Sequence, residues 1–283
     1  MPATIDATLR DARVRLAQTS DSPDIDARRL LEHVLERSAT WLIVHGGDRL
    51  DDAPRTRFDA LLQRRLAGEP LAYVIGRAGF WTLDLTVTPD VLVPRPDTET
   101  LIETVLAHHD SAPLRVADLG TGSGAIALAL ASERPQWRLT GTDASTAALA
   151  CAAANAERLG LANVNFAAGH WYAPITGQRF DVIVSNPPYV APNDVHLDAP
   201  ALRHEPRAAL VASAQGLADI QQITRDAPAH LTGGGALYLE HGADQGAAVR
   251  TSLIAAGFSG VLTQRDLGGN DRVTHGRLGE DRQ

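Results

Sequence analysis

From residue 4 to about residue 67, apolar positions recur every three or four residues. Leu9, Val14 and Leu16 mark one segment, Ile25, Leu30, Leu31, Val34 and Leu35 a second, and Phe58, Leu61, Leu62 and Leu66 a third. That period is helical. Ser22-Pro23 supplies an N-cap and first-turn proline for the second segment, and Asp52 with Pro54 opens the third. The spacing predicts a small helical domain without a recognisable chemical motif. Between residues 68 and 93 the period shortens to two. Trp81, Leu83, Leu85 and Val87 alternate with Thr82, Asp84 and Thr86, which predicts one arm of a hairpin between domains.

Strand-like and helix-like stretches then alternate. Strands are expected at 114–119, 137–142, 164–167 and 180–185, with helices at 124–133 and 146–159. This order predicts a doubly wound, mostly parallel α/β sheet. A long loop with several prolines and histidines, 190–216, has the length of a lid or binding element. A helix over 217–231, a strand at 236–240 and a helix over 247–256 follow. Two last strands, 260–266 and 272–278, flank Gly268-Gly269-Asn270 and imply an antiparallel edge hairpin. The expected domains are 1–75, helical; 76–95, the hairpin linker; and 96–283, the α/β domain.

Composition narrows the chemistry. With 283 residues, 44% hydrophobic and 5% aromatic, the chain can bury one large core and a smaller one. A net charge of −8 argues against a broad phosphate-binding face, so no direct nucleic-acid contact is expected. All 26 basic residues are arginine, which excludes P-loop, Schiff-base and pyridoxal chemistries that need lysine. The single cysteine, Cys151, lies in an Ala-rich helical pattern and is expected as a small buried hydrophobe. His108-His109 closes a helical pattern, where a cation suits the dipole, and no metal site is expected. The first residues lack the apolar core of a signal peptide and no apolar run reaches about 18 residues, so a cytoplasmic protein without membrane contact is expected.

Two stretches carry candidate chemistry. Asp118-Leu119-Gly120-Thr121-Gly122-Ser123-Gly124 ends one strand and opens a helix, where glycines let backbone N–H groups approach a ligand. Asp143 closes the next strand, where a carboxylate can accept from both hydroxyls of a ribose. Gly120, Gly122 and Ala125 also fit the dinucleotide pattern, so this motif alone leaves a nicotinamide cofactor open. The second stretch, Asn186-Pro187-Pro188-Tyr189, breaks abruptly from the apolar strand before it. The Asn186 side chain and the Pro187 carbonyl are two rigidly placed acceptors that can hold an NH2 group flat. An edge turn in which Asn186 caps its own backbone is the alternative. Together the two stretches favour methyl transfer to a planar nitrogen over hydride transfer. Arg95, fixed between Pro94 and Pro96, is expected with Glu99 in a surface salt bridge.

Residues 91–99, Val-Leu-Val-Pro-Arg-Pro-Asp-Thr-Glu, resemble a known family when taken with 118–124, Asn186 to Tyr189, Glu205-Pro206, Ala209-Leu210 and Glu240-His241-Gly242. The chain is similar to the bacterial release factor glutamine methyltransferases of the PrmC/HemK type. That resemblance implies a Rossmann-like class I S-adenosylmethionine-dependent methyltransferase fold behind a helical substrate-docking domain. It implies that Gly120, Thr121, Gly122, Ser123, Gly124, Asp143 and Asn186 hold S-adenosylmethionine with Trp171 against it, yielding S-adenosylhomocysteine. It also implies that Asn186, Pro187, Pro188 and Tyr189 hold the substrate, a glutamine in the Gly-Gly-Gln motif of class 1 peptide chain release factors. In that scheme Asn186, Pro187 and Tyr189 are catalytic, no metal takes part and the enzyme is a monomer. Asp97 stands where the family usually has glutamate, and Ala214-Gln215-Gly216 replaces a more acidic stretch. An amino-methylating DNA enzyme and a non-catalytic translation-factor module remain as alternatives.

Overall fold

The computed structural model describes residues 4–280. They form two compact units, one of residues up to Arg77 joined by 198–204, the other of 78–197 and 205 onward.

The first unit is helical: α1 (Ile5–Leu16), α2 (Pro23–Leu35), α3 (Ala39–Val44), α4 (Asp52–Leu66) and α5 (Leu71–Ile75). The Thr4 hydroxyl accepts from the Ala7 N–H at 3.2 Å and starts α1, and Pro23 opens α2. Leu9, Leu16, Leu30, Leu31, Val34, Phe58 and Leu62 make its core. Val14 and Ile25 do not join it, being 75% and 50% exposed. The stripe of α1 runs through Ile5, Leu9, Ala12 and Leu16, and Val14 lies two residues off it, on the opposite face. The unpredicted α3 and α5, six and five residues long, are too short to show a period. The buried Asp26 carboxylate accepts from Arg65 Nε and Ser20 Oγ, each at 2.7 Å, and so ties α2 to α4. Residues 198–204 of the long loop were not expected in this unit. Gly68, at φ 92°, makes room for them: a Cβ there would lie 2.9 Å from Pro200.

A two-stranded hairpin, β1 (Arg77–Phe80) and β2 (Leu83–Thr86), precedes the main sheet of the second unit. The remaining elements are α6 (Glu99–His108), β3 (Arg115–Leu119), α7 (Ala125–Glu133), β4 (Arg138–Asp143), α8 (Thr146–Leu159), β5 (Val164–Ala168) and β6 (Phe180–Ser185). After the long loop come the single turn α9 (Ser213–Gly216), α10 (Ala218–Asp226), β7 (Leu231–Glu240), α11 (Gly246–Ala255), β8 (Phe258–Arg265) and β9 (Asp271–Leu278). The seven strands lie in the order β5-β4-β3-β6-β7-β9-β8, parallel up to β7, with β9 antiparallel to β7 and β8 antiparallel to β9.

The continuous apolar run of β6 is explained by burial on both faces. Val182 and Val184 join the core under α6 and α7, while Ile183 joins the one under α10 and α11. The expected helix over 217–231 is shorter, and the strand after it longer. Pro228 removes an N–H and turns the chain after Asp226, and the Gly233-Gly234-Gly235 run hides the first half of β7 from any strand pattern. His109 is not a solvated cation at a helix end. Its Nε2 lies 3.0 Å from the Tyr238 hydroxyl, and burial pulls its pKa from 6.5 to about 4, so it is neutral. Cys151 is buried, as expected of a small hydrophobe, its thiol 3.3 Å from the Thr86 carbonyl. No helix of the described residues is long and apolar enough to cross a membrane.

Candidate active site

Asp118 and Val184 are level across the adjacent parallel strands β3 and β6, as are Leu119 and Ser185. The glycine stretch and the Asn186 turn therefore leave the sheet side by side at its carboxyl edge, where open α/β sheets bind ligands. The Ser185 hydroxyl donates to the Leu119 carbonyl at 2.7 Å and pins the two exits together. Between them opens a cleft of about 450 Å3, a volume suited to a small organic ligand.

One wall is backbone. Gly120, Gly122 and Gly124 have φ of 74°, 56° and 84°, a left-handed region that side chains oppose. Gly120 also faces the Trp171 indole, which would lie 3.1 Å from an added Cβ. Beneath the loop the Asp118 carboxyl is fully buried and accepts from the Thr121 hydroxyl at 2.6 Å and the Ala127 N–H at 3.2 Å. Burial pushes its pKa up to about 7 against those bonds. It shapes the loop from below. Asp143 faces the cleft, with Oδ2 accepting from the Gly122 N–H at 2.9 Å and Oδ1 from the Ser145 N–H at 2.8 Å. Two backbone donors fix its plane and leave a lone pair on each oxygen for a ligand.

The other wall is built from distant pieces. Asn186 and Pro188 line the cleft together with Thr98, Arg95 and Pro206. The Asn186 Nδ2 donates to Thr98 Oγ1 at 3.2 Å, which leaves the side-chain oxygen as its open acceptor. Among the described residues no backbone N–H outside the regular elements bonds to the Pro187 carbonyl. Tyr189 is turned inward, its hydroxyl donating to Glu240 Oε1 at 3.2 Å. Its own carbonyl accepts from Gln245 Nε2 at 3.0 Å, and Gly216 crosses so close that a Cβ there would stand 2.0 Å from that oxygen. Ala214 and Gln215, neither of them glycine, are held at φ 52° and 57° in the same crossing, a strained turn next to a functional site.

Of the residues singled out by sequence, Gly120, Thr121, Gly122, Ser123, Asp143, Trp171, Asn186 and Pro188 line one cleft. Gly124, Pro187 and Tyr189 flank the lining residues rather than line the cleft themselves. Gly124 packs on Leu128 and Ala152, and Pro187 is buried. Arg95 and Glu99 do not pair. Arg95 bonds to the buried carboxylate of Glu205, whose Oε2 also accepts from the Val93 N–H at 3.1 Å. This joins the Pro-Arg-Pro segment to the end of the long loop. Glu99 instead accepts from the Trp81 N–H at 2.7 Å, where Trp81 turns the hairpin at φ 56°. His170, Asp219, Ser145, Pro89 and Asp90 also line the cleft and were missed, because nothing in their own neighbourhoods marks them.

The indole that lines the cleft carries an unsatisfied group. Trp171 Nε1 is buried without a hydrogen-bond partner among the described residues. An acceptor-rich carboxylate, a glycine loop and a buried indole fit a nucleoside with polar extensions.

Residues 7–76 match the family described as the PrmC N-terminal domain, and residues 96–215 that of the methyltransferase small domain. The chain is 52% identical to a protein of Xylella fastidiosa named release factor glutamine methyltransferase, over 92% of this chain and 95% of that one. It is 46% identical to a Vibrio cholerae protein of the same name, over the whole of both. In fold it resembles a solved methyltransferase of Pyrococcus furiosus, with a TM-score of 0.54 at 20% identity over 77% of this chain and 97% of that one.

Proposed function

Because the chain belongs to the release factor glutamine methyltransferases, we propose that it moves a methyl group from S-adenosylmethionine to the N5 amide nitrogen of a release factor glutamine, the one in the Gly-Gly-Gln motif. The observation that carries this reading is the Asn186 side chain, which lines the same cleft as the glycine loop with its NH2 turned away onto Thr98. An acceptor pair made of Asn186 Oδ1 and the Pro187 carbonyl suits a substrate that offers two N–H hydrogens in one plane.

S-Adenosylmethionine would be held by residues 120–124, Asp143 and Trp171, and it supplies an electrophilic methyl on a sulfonium that leaves as a neutral thioether. Asp143 would accept from the ribose hydroxyls through the lone pairs its two backbone bonds leave open. The remaining work is orientation. An amide nitrogen is a weak nucleophile, and two fixed acceptors hold its plane and favour the positive charge that grows on it. Positioning of this kind can contribute about 7 to 11 kcal/mol in well-aligned intramolecular reactions, so the scheme needs no general base. The proton leaves after transfer, when the alkylated amide is strongly acidic. Tyr189 contributes by walling the turn, not by titrating, since burial and the nearby Glu240 raise its pKa. The helical unit, residues 1–75, is assigned to docking the release factor outside its glutamine loop.

The test is methyl-labelled S-adenosylmethionine offered with a purified release factor, with the same factor carrying glutamate in place of the glutamine, and with duplex DNA. Label should enter the first alone. Label in DNA, or equal label in both factors, would overturn the reading.

A further inference from the structure

Asp219 lines the cleft, yet among the described residues no N–H or O–H donates to its carboxylate and no cation stands within ion-pair distance. It lies in the first turn of α10, where any carboxylate suits the helix dipole. What distinguishes it is where α10 is held. Ile220 and Ile223 share a core with Trp171 and Tyr172, and the Tyr172 hydroxyl donates to the Ile223 carbonyl at 3.0 Å. This fixes α10 against the turn that follows β5. The same turn is tied to the end of β4: the Gly169 N–H donates to the Asp143 carbonyl at 2.9 Å, and the Thr142 hydroxyl to the Trp171 carbonyl at 2.9 Å. Trp171 is kept at φ 46° there, a backbone conformation that persists only where its surroundings enforce it. His170 lines the cleft beside it, with ring centroids 4.9 Å apart.

The strand order gives these groups a direction. Along the carboxyl edge the exits run β5, β4, β3, β6, and they carry in turn His170 with Trp171, then Asp143, the glycine loop and Asn186. In a nucleoside sulfonium the methyl and the base are attached to opposite sides of the ribose. With the methyl at Asn186 and the ribose hydroxyls on Asp143, the base points to the exit of β5. Asp219 is the unpartnered carboxylate on that side of the cleft.

We propose that Asp219 reads the edge of the cofactor's base: its carboxylate accepts from the exocyclic amino group of a 6-aminopurine and rejects a 6-oxopurine. This rests on S-adenosylmethionine being the cofactor, as proposed above. An ionised carboxylate can only accept. Adenine offers it an N–H, whereas a 6-oxopurine offers an oxygen whose lone pairs would face those of the carboxylate with no proton between them. Such a repulsive contact discriminates as strongly as the attractive one it replaces, and partial burial sharpens both. Burial raises the pKa of Asp219, with His170 opposing it, so a donor on the ligand supplies what the free protein lacks. The cofactor's other donor, its ammonium group, belongs to the methyl side of the ribose.

The test is calorimetric and needs no turnover. S-Adenosylhomocysteine and S-inosylhomocysteine, which differ only in the six-membered ring of the purine, are titrated into wild type, Asp219→Asn and Asp219→Ala, with thermal midpoints confirming that each protein is folded. Wild type should favour the adenosyl ligand by about 10²-fold. Asparagine can turn its oxygen to an amino group or its NH2 to a carbonyl, so that preference should fall at least about 10-fold in Asp219→Asn, with the inosyl ligand bound more tightly than by wild type. Any other effect of the ring change is common to both proteins and cancels when the two preferences are compared. Asp219→Ala should lose about 10-fold in affinity for the adenosyl ligand and bind the inosyl ligand no worse than wild type does. An equal preference in wild type and Asp219→Asn would overturn the proposal, and so would an equal loss of both ligands, which would place the carboxylate on the ammonium group. Wild type that binds neither ligand would overturn the cofactor reading and this inference with it. Release factor methylation together with unchanged preferences would leave the proposed function standing and sink the base reading alone.

Discussion

The two walls of the cleft are built in opposite ways. The glycine wall is local: Asp118, Thr121, Gly122, Asp143 and Ser145 lie within one β-α-β passage, and its polar contacts are bonds between those neighbours. The Asn186 wall is assembled from afar, with Thr98, Gly216, Glu240 and Gln245 arriving on four different segments. The first is a ligand cradle that the backbone almost completes alone. The second is a turn whose geometry depends on the whole unit being folded. Binding of cofactor and orientation of substrate should therefore respond to different substitutions.

The sharpest way to separate the walls is Gly216→Val. At φ 82°, with a Cβ 2.0 Å from the Tyr189 carbonyl, valine must push the turn aside. Misplacement of that order is expected to cost about 10²-fold in kcat, while cofactor affinity measured by calorimetry stays near wild type. Equal loss of both would erase the distinction. Asp143→Ala is the mirror experiment. Removing a charged acceptor contributes about 1.5 to 3 kcal/mol, so the Kd for S-adenosylmethionine should rise at least about 10-fold with kcat at saturation much less changed. A Kd that did not move would remove Asp143 from the cradle.

A smaller effect is expected at the junction between the Pro-Arg-Pro segment and the long loop. Arg95→Ala leaves the buried Glu205 carboxylate with only the Val93 N–H, for a loss of about 1 to 3 kcal/mol in unfolding free energy. Adding Glu205→Gln should restore part of it, and strict additivity of the two changes would argue that the pair is not coupled. The smallest effect lies far from the cleft. His109 titrates near 4 in the folded protein and near 6.5 when unfolded, so the unfolded chain binds more protons between those values and stability falls as pH falls through that window. Thermal midpoints of His109→Gln should drop less steeply from pH 6.5 to 4 than those of wild type. Parallel curves would contradict a buried neutral imidazole.

The same contrast explains what the sequence discloses. The order of strands and helices, the edge hairpin and the glycine wall are written in short-range periodicity and adjacent residues, and α8 and β6 fall where the pattern puts them. Asn186 to Tyr189 is visible because two prolines cannot sit in the middle of a ladder. What holds that turn is not visible. Glu240 is one carboxylate at a strand end, and Thr98 is one threonine after a proline segment. Only the register of β7 on β6 and the entry of α6 bring them to Asn186. Arg95 invites a partner four residues away, yet its true partner is 110 positions along the chain. Long-range pairing of polar groups follows topology, and no local period encodes it.

The most direct test of the account compares wild type with Asn186→Ala, both saturated with S-adenosylmethionine, on a full-length release factor, followed by fragment mass spectrometry. One added methyl on the glutamine of Gly-Gly-Gln with wild type, and almost none with the variant despite its bound cofactor, is the predicted result. An equal gain on that glutamine from both proteins would contradict the role given to Asn186, and a gain on any other residue or none at all would contradict the proposed activity itself.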